Sequence, residues 1–333
     1  MTCHLSVPVR DSSQPASARY AAQEHAERAG FDEQDVHRAG LVATELATNL
    51  VKHANGGGEL LFHVVTAGAA GEIEIVALDK GPGLADISAA LRDGYSTAGS
   101  PGTGLGAARR LSDEFEVQSS GKGTAIWVRL RAKRAAASAV ALPIAGVSVA
   151  MPGEPVCGDA WAVRRRNGSS QTLIADGLGH GLHASEAAAA ASSAFVAGDD
   201  APSGPMLERL HAALRATRGA AAAVLTVDAS IRTAMFAGVG NIGAAIVSQG
   251  TIRHAVSHNG TLGHEARQIR GYQYPWPAGA VFVMHSDGLL SHWQLSDYPG
   301  LIQRHPALIA AVLYRDYTRG RDDVTVVVGR ESA

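Results

Sequence analysis

The chain has 333 residues, of which 46% are hydrophobic and 18% are charged, and its formal net charge is −2 at pH 7. This length and composition predict a globular protein of two domains, at about 150 residues per domain. The balanced charge gives no support to a nucleic-acid partner or to an acidic membrane surface, so we expect proteins or small molecules as partners.

The cysteine content and the apolar stretches indicate a cellular location. Cys3 and Cys157 are the only cysteines, and their wide separation argues against a disulfide scaffold and favours a reducing compartment. The longest apolar stretch, 139–151, is shorter than the roughly 20 residues of a bilayer span. The N-terminus also lacks a charged-then-apolar signal pattern. We therefore expect a cytoplasmic protein without a membrane segment.

Two successive helices are predicted near the N-terminus, at 16–29 and from about 32 to 53. In the second helix Glu45, Asn49 and His53 recur at every fourth residue, which places their side chains on one face. An Asn oxygen suits a Mg²⁺ ion that also binds phosphate, and a carboxylate one turn away suits proton transfer from a nucleophile. The alternative is the solvated face of an amphipathic helix.

A chain reversal after a predicted strand forms the second candidate feature. Predicted strands at 60–65 and 72–78 lead to Asp79, which precedes a turn containing Gly81 and Gly83. This arrangement holds one carboxylate beside backbone that a ligand can approach closely. An Asp-x-Gly-x-Gly sequence is also common in ordinary turns, so this motif alone leaves both interpretations open.

A loop of small residues follows, with Gly102, Gly104 and Gly106 before a helix predicted to begin near Ala107. Free N–H groups at a helix start suit phosphate, although a glycine loop can also be merely flexible. The spacing also matches a dinucleotide fingerprint. That fingerprint needs a buried strand that feeds directly into the loop, whereas residues 95–101 are polar and typical of a turn.

These motifs, in this order, resemble the N, G1 and G2 boxes and the terminal Gly-Thr of the GHKL ATPase/kinase family. The motifs are Glu45-Leu-Ala-Thr-Asn49, Asp79-Lys-Gly81-Pro-Gly83, Gly102-Thr-Gly104-Leu-Gly106 and Gly123-Thr124. The resemblance covers about residues 10–131. Within the family, this region is most similar to the serine kinases of the bacterial stressosome and to related anti-sigma kinases.

The resemblance implies a Bergerat-type α/β sandwich that binds ATP with Mg²⁺. By this resemblance Asp79 binds the adenine amino group, Asn49 holds Mg²⁺ and Glu45 is the catalytic base. The implied ATP and Mg²⁺ site comprises Asn49, Asp79, Gly81, Gly83, Gly102, Gly104, Gly106 and Thr124. No phosphoacceptor-histidine helix pair is visible, which disfavours a sensor histidine kinase.

The second half of the chain consists of short β-branched runs and a few long helices, which predicts an α+β layered domain. The predicted strands are 147–150, 161–164, 172–175, 223–227, 233–239, 243–247, 281–284 and 324–328. The predicted helices are 183–197, 206–218 and 306–317. We place a linker at 132–142, between domains 1–131 and 143–333, because the residues there are small or charged and lack apolar periodicity.

Aspartates lie at the ends of several of these strands, namely Asp159, Asp176, Asp287 and the pair Asp322 and Asp323. A lone Asp-Gly is usually a turn. Several carboxylates that all adjoin apolar strands favour a set of oxygen ligands, which bind Mg²⁺ or Mn²⁺ rather than zinc. Two such ions about 3.5 to 4 Å apart can direct a water-derived nucleophile at a phosphoryl group.

The motifs around these aspartates resemble the SpoIIE-type metal-dependent serine/threonine phosphatases, which have the PPM fold. The motifs are Gly-Asp159, Asp176-Gly-Leu-Gly-His180-Gly, Ser-Asp287-Gly and Asp322-Asp-Val-Thr325. The resemblance spans about residues 143–330 and implies an α-β-β-α sandwich. It implies a metal site, with two Mn²⁺ or Mg²⁺ ions, formed by Asp159, Asp176, the carbonyl of Gly177, Asp287 and Asp322.

Two departures from the phosphatase pattern leave alternatives open. Asp323 stands where many relatives have Asn, so the choice between Asp322 and Asp323 as ligand is open. His180 lies two residues beyond the familiar Asp-Gly-His-Gly spacing, so a general-acid role does not carry over to it directly. An exposed loop imidazole is an equally good interpretation of His180.

Together the two resemblances predict a fused switch protein that contains a protein serine/threonine kinase and a phosphoserine/phosphothreonine phosphatase. The expected partners are STAS-domain substrates or antagonists in a stress pathway of the partner-switching type, and a sigma-factor regulator is a further candidate. The alternative is that the first domain is a nucleotide-dependent module that docks a STAS or sigma-factor partner without phosphorylating it.

Overall fold

The structure, a computed structural model, describes residues 3–65, 71–91, 104–132, 142–166 and 168–331. The chain forms two compact units, one of residues His4–Ala139 and one of Met1–Cys3 with Val140–Ala333. The predicted linker at 132–142 lies mostly outside the described residues, and its limits stay a prediction. In the part of the chain described, no helix has both the length and the hydrophobicity that crossing a bilayer demands.

The N-terminal unit is one antiparallel sheet with helices. Its strands are β1 (Leu5–Val9), β2 (Gly58–Val65), β3 (Glu72–Asp79), β4 (Glu114–Ser120) and β5 (Gly123–Arg131). Its helices are α1 (Gln14–Arg28), α2 (Glu33–His53), α3 (Ile87–Ala90) and α4 (Gly104–Arg110). The strands lie in the order β1-β2-β3-β5-β4. The two helices and the strand pair predicted before Asp79 are confirmed to within a few residues.

Helix α2 carries the polar face on which the first candidate site depends. Asp32 caps its N-terminus, because the Asp32 side chain accepts a hydrogen bond of 2.8 Å from the Asp35 backbone N–H. The stripe of Val42, Leu46 and Leu50 is buried in the core against the sheet. Burial of this stripe fixes the rotation of the helix, so the neighbouring face is held in one position.

The C-terminal unit contains two five-stranded sheets. One has the order β13-β10-β9-β8-β7 and the other β12-β11-β14-β15-β6. Its strands are β6 (Ile144–Val149), β7 (Asp159–Arg166), β8 (Ser169–Gly177), β9 (Ala220–Asp228), β10 (Thr233–Val239), β11 (Gly243–Ser248), β12 (Thr251–His254), β13 (Tyr272–Pro275), β14 (Val281–His285) and β15 (Val324–Arg330). Its helices are α5 (Leu182–Ala197), α6 (Ser203–Ala213) and α7 (Pro306–Tyr317).

The two sheets pack face to face. Ile174 and Phe236 of one sheet meet Phe282 of the other in a common core. Phe195 of α5 and Leu207 of α6 belong to a second core on the outer face of the first sheet, and α7 packs against β6 and β15 of the second sheet. The layer order is helix, sheet, sheet, helix, which confirms the predicted α-β-β-α sandwich.

Gly123, at the start of β5, allows an unusually close approach to the end of β3. It adopts φ +120°, a conformation that residues with a side chain rarely take, and a Cβ there would overlap the Asp79 carbonyl oxygen. Gly121, two residues earlier, has open space where its Cβ would be. The position of Asp79 therefore depends on the absence of a side chain at 123.

We predict that Gly123→Ala lowers the free energy of unfolding around β3 and β5 by about 2 kcal/mol or more, because it adds both strain and overlap. Amide hydrogen exchange of peptides from the two strands measures this change. Gly121→Ala is the matched control and should change the value by less than about 0.5 kcal/mol. Equal exchange in the two variants would contradict the close approach.

Candidate functional site

Asp79 is held at the end of β3 by donors from two directions. Its Oδ1 accepts hydrogen bonds from the backbone N–H groups of Gly81 at 2.7 Å and Thr124 at 3.2 Å. The Thr124 hydroxyl lies 2.9 Å from Ser119 Oγ, which accepts a bond of 2.8 Å from the Leu84 N–H. The carboxylate is thus fixed between its own turn and strand β5, with both of these donors on one oxygen.

The polar face of α2 meets the start of α4. A Cβ on Gly104 would lie 3.1 Å from Glu45 Oε2 and 3.3 Å from Asn49 Oδ1. Both side chains are half-buried, whereas His53, the third member of the sequence pattern, is exposed at the last residue of α2. The structure therefore brings Glu45, Asn49 and Gly104 together and leaves His53 outside.

The prediction of where this glycine-rich loop ends was wrong. The helix already includes Gly104, the first described residue after residue 91, so Gly104 and Gly106 belong to α4 and not to the loop. The missing side chain at 104 lets α4 pack closely on α2, and Gly106 is buried. Gly102 lies outside the described residues, whereas Gly81 and Gly83 lie in the turn directly after Asp79.

In the C-terminal unit the strand register places two predicted ligands opposite each other. Asp159 of β7 pairs with Asp176 of β8. Ser286 Oγ donates a hydrogen bond of 2.6 Å to Asp159 Oδ2 and accepts one of 2.9 Å from the Thr325 N–H. Asp159 Oδ1 is buried without a hydrogen-bond donor among the described residues. Gly177 follows Asp176 directly, and its N–H donates to the Gly158 carbonyl at 3.0 Å.

The aspartates of this region influence each other electrostatically. Burial raises the pKa of Asp159, and the charge of Asp323 raises it further, whereas the Ser286 hydrogen bond lowers it. Burial also raises the pKa of Asp176, with added contributions from the charges of Asp159, Asp287 and Asp322. Such mutual effects arise only between neighbouring carboxylates, so the fold gathers these residues in one region.

The two aspartates before β15 differ in their contacts. Asp323 is buried, and its Oδ1 accepts a hydrogen bond of 2.9 Å from the Met151 N–H. Asp322 is half-buried, and its charge acts on Asp287. Asp322 Oδ1 also accepts a backbone hydrogen bond, of 3.0 Å from the Asp323 N–H, so the choice between the two aspartates as ligand stays a prediction.

The donor chemistry fits hard divalent cations, although the side chains are not arranged around one point. Among the described residues, no three His, Cys, Asp or Glu side chains are placed to hold one ion together. Several carboxylates are turned instead to protein donors, as in the bond of 2.7 Å from Asn241 Nδ2 to Asp287 Oδ2. The unpartnered oxygen of Asp159 and the all-oxygen set suit Mg²⁺ or Mn²⁺. The ligand assignment stays a prediction.

Some polar residues of these sites were not found from the sequence. Ser286 stands in the Ser-Asp-Gly motif around Asp287, and this adjacency was the only available signal. Asn241 has no motif that links it to Asp287, because the two residues meet only in the folded domain. His180 is exposed, and its Nδ1 lies 2.7 Å from Glu154 Oε1, so a carboxylate orients this imidazole.

We predict that Ser286→Ala lowers the free energy of unfolding of the C-terminal domain by about 2 kcal/mol, because a buried carboxylate and a backbone N–H each lose a partner. Hydrogen exchange of peptides from β7 and β15 measures the loss. Ser230→Ala is the control, since Ser230 Oγ donates to Asp228 in an exposed turn. An equally small effect of both substitutions would contradict a structural role for Ser286.

Comparison with known proteins agrees with both sequence resemblances. Residues 9–130 match the histidine kinase-like ATPase domain family, and residues 166–330 match the stage II sporulation protein E (SpoIIE) family. Asp159 lies outside the second match, so its assignment rests on its pairing with Asp176.

Two curated relatives come from Bacillus subtilis strain 168. The serine/threonine-protein kinase RsbT is 37% identical over 118 residues, which are 34% of this chain and 88% of RsbT. The phosphoserine phosphatase RsbX is 26% identical over 185 residues, which are 54% of this chain and 90% of RsbX.

A solved structure from work on the bacterial stressosome, described as a modular system adapted to control secondary messenger signalling, is 30% identical to this chain with a TM-score of 0.52. The likeness covers 57% of this chain and 99% of the solved one. Together the relatives indicate the kinase and phosphatase architecture of partner switching. The chain therefore belongs to the histidine kinase-like ATPase family through its N-terminal domain, which is joined to a SpoIIE-type serine/threonine phosphatase domain.

Proposed function

We propose that this chain is a bifunctional switch protein that both phosphorylates and dephosphorylates STAS-domain regulators of a stress or sigma-factor pathway. The N-terminal domain is an ATP-dependent serine/threonine kinase, and the C-terminal domain is a Mn²⁺- or Mg²⁺-dependent phosphoserine/phosphothreonine phosphatase. The observation that carries this proposal is that each of two separately folded units gathers its own polar cluster. One cluster surrounds Gly104, and the other surrounds Asp159.

The kinase proposal assigns one task to each residue of the N-terminal site. Two backbone hydrogen bonds to Oδ1 orient the Asp79 carboxylate, which accepts a hydrogen bond from the amino group of adenine. Thr124 supports the same end of the base. Asn49 provides an oxygen for Mg²⁺, which supplies charge neutralisation on the phosphates when bound. Glu45, one turn from Asn49, accepts the proton of the attacking serine or threonine hydroxyl of the substrate protein.

The phosphatase proposal rests on the aspartates at the ends of β7, β8 and β14 and before β15. The residues that would hold the two ions are Asp159, Asp176, Gly177 through its carbonyl, Asp287 and Asp322. The ions supply an activated nucleophile and charge neutralisation when bound. Ser286 and Asn241 orient the carboxylates of Asp159 and Asp287 through hydrogen bonds, which limits their freedom to rotate.

The choice of substrate rests on the relatives. One curated relative is a serine/threonine kinase and the other is a phosphoserine phosphatase, so phosphoserine or phosphothreonine in a protein is the modification that both domains would share. The stressosome relative supports a place in partner switching. We infer that the STAS-domain protein is the common target, because opposed activities on one chain can set its phosphorylation level.

We predict that Asn49→Ala reduces ATP-dependent labelling of a purified STAS-domain protein by about a hundredfold or more, because the phosphates lose their Mg²⁺ ligand. Hydrolysis of p-nitrophenyl phosphate by the same variant should stay unchanged. Gln34→Ala, which removes an exposed amide from the same helix, is the matched control.

Three results of this experiment would count against the proposal. Equal loss of labelling and hydrolysis in Asn49→Ala would contradict two separate sites. Complex formation between the wild-type protein and the STAS-domain protein without any labelling would favour a nucleotide-dependent docking module. Labelling on a residue other than serine or threonine would contradict the kinase class.

We predict that Asp176→Asn lowers metal-dependent hydrolysis of p-nitrophenyl phosphate by about a hundredfold or more, because a charged ligand is replaced by a neutral amide. Calorimetric binding of ADP should be unaffected. Asp199→Asn is the control, since the Asp199 side chain is 93% exposed and pairs with Arg209 in a surface salt bridge. Unchanged hydrolysis in Asp176→Asn would show that the metal site lies elsewhere.

A further inference from the structure

The two cysteines of the chain, far apart in sequence, contact the same residue of strand β6. Cys3 Sγ donates a hydrogen bond of 3.3 Å to the Ser148 carbonyl oxygen, and Cys157 Sγ lies 3.6 Å from Ser148 Oγ. Both cysteines belong to the C-terminal compact unit.

The environments of the two thiols differ in a way that suits stepwise oxidation. Cys3 is half-buried and so within reach of a small oxidant, whereas Cys157 is only 6% exposed. A hydrogen bond from Cys157 lowers the pKa of Cys3, which promotes loss of the proton that the Cys3 thiol donates to the Ser148 carbonyl and so favours the thiolate at the more accessible sulfur. The accessible sulfur is therefore the one that an oxidant meets first, and the shielded sulfur lies beside it.

We propose that Cys3 and Cys157 form a disulfide when the protein meets hydrogen peroxide or a small organic peroxide. The Cys3 thiolate attacks one peroxide oxygen, the O–O bond breaks and Cys3 becomes a sulfenic acid, with water (or the alcohol) as the leaving group after protonation. The Cys157 sulfur then attacks the Cys3 sulfur, the S–O bond breaks and a second water leaves. Two thiols are oxidised by two electrons in total, and the peroxide is reduced by the same number.

The disulfide would act on the neighbouring aspartates. Cys157 immediately precedes Gly158 and Asp159, and a Cβ on Gly158 would lie only 2.6 Å from Asp323 Oδ2. The turn is thus packed tightly against a carboxylate, and drawing Cys157 into a bond with Cys3 moves the start of β7. A displacement of about 1 Å at a catalytic centre can cost up to about a hundredfold in rate. This consequence rests on the proposed phosphatase activity, whereas disulfide formation does not.

The test uses the full chain, fully reduced and then treated with hydrogen peroxide. Intact mass spectrometry should find a monomer that has lost two hydrogen atoms, and peptide mapping should find Cys3 and Cys157 cross-linked. Both thiols should become unreactive to iodoacetamide, and dithiothreitol should restore them. Hydrolysis of p-nitrophenyl phosphate with Mn²⁺ should fall roughly tenfold in the oxidised protein and recover on reduction.

Cys3→Ser provides the matched control, because it removes the accessible thiol and leaves the residue beside Asp159 intact. After treatment with peroxide and then with dithiothreitol, this variant should keep its hydrolysis rate. Its intact mass should show no loss of two hydrogen atoms. Three results in the wild-type protein would contradict disulfide formation between Cys3 and Cys157. These are stable oxygen adducts, a cross-linked dimer and unreacted thiols. If hydrolysis is unchanged in protein that carries the disulfide, the proposal that the disulfide disturbs the aspartates is wrong. If the reduced wild-type protein does not hydrolyse p-nitrophenyl phosphate, the phosphatase proposal is refuted instead. The mass spectrum would still decide whether the disulfide forms.

Discussion

The repulsion between buried carboxylates is the constraint on which the C-terminal domain depends. Asp159 is 7% exposed and stands opposite Asp176 in neighbouring strands, so burial and the nearby carboxylates raise the pKa of both groups and oppose their simultaneous ionisation. Ser286 and Asn241 each stabilise one carboxylate through a hydrogen bond, but one oxygen of Asp159 stays without a donor in the described structure. A divalent cation would relieve this repulsion, so the feature that costs folding energy is also the feature that suits metal binding.

The N-terminal domain depends on close approach rather than on charge. Gly123 allows β5 to come against the end of β3, which places Thr124 where its N–H reaches Asp79. Gly104 lies close to Glu45 and Asn49, and a Cβ there would meet the ends of these two side chains at 3.1 Å and 3.3 Å. Two residues without side chains therefore hold the two ends of the candidate nucleotide site in position.

The strands that the sequence analysis missed all lie at sheet edges, although the edge strands β6 and β7 were predicted. The strands β1, β12 and β13 were not predicted, and each lies at the edge of its sheet. These three strands pair on one side only and are partly exposed, so they lack the apolar runs that identified the other strands. The start of α4 was also misplaced, because the packing of Gly104 on α2 is a tertiary effect. The motifs implied only that Asp159 and Asp176 belong to one metal site, whereas their pairing in adjacent strands and the contact of Asn241 with Asp287 appear only in the folded domain.

Two independent binding sites, one for a purine nucleotide and one for divalent cations, are proposed on separate domains of one chain. Isothermal titration calorimetry of the folded protein tests this claim directly, with ADP added in the presence of Mg²⁺ and with Mn²⁺ added to a metal-free sample. We expect saturable heat from both titrations, and we expect Mn²⁺ binding to persist when the N-terminal site carries Asn49→Ala. An absence of heat from both ADP and Mn²⁺ would contradict this claim.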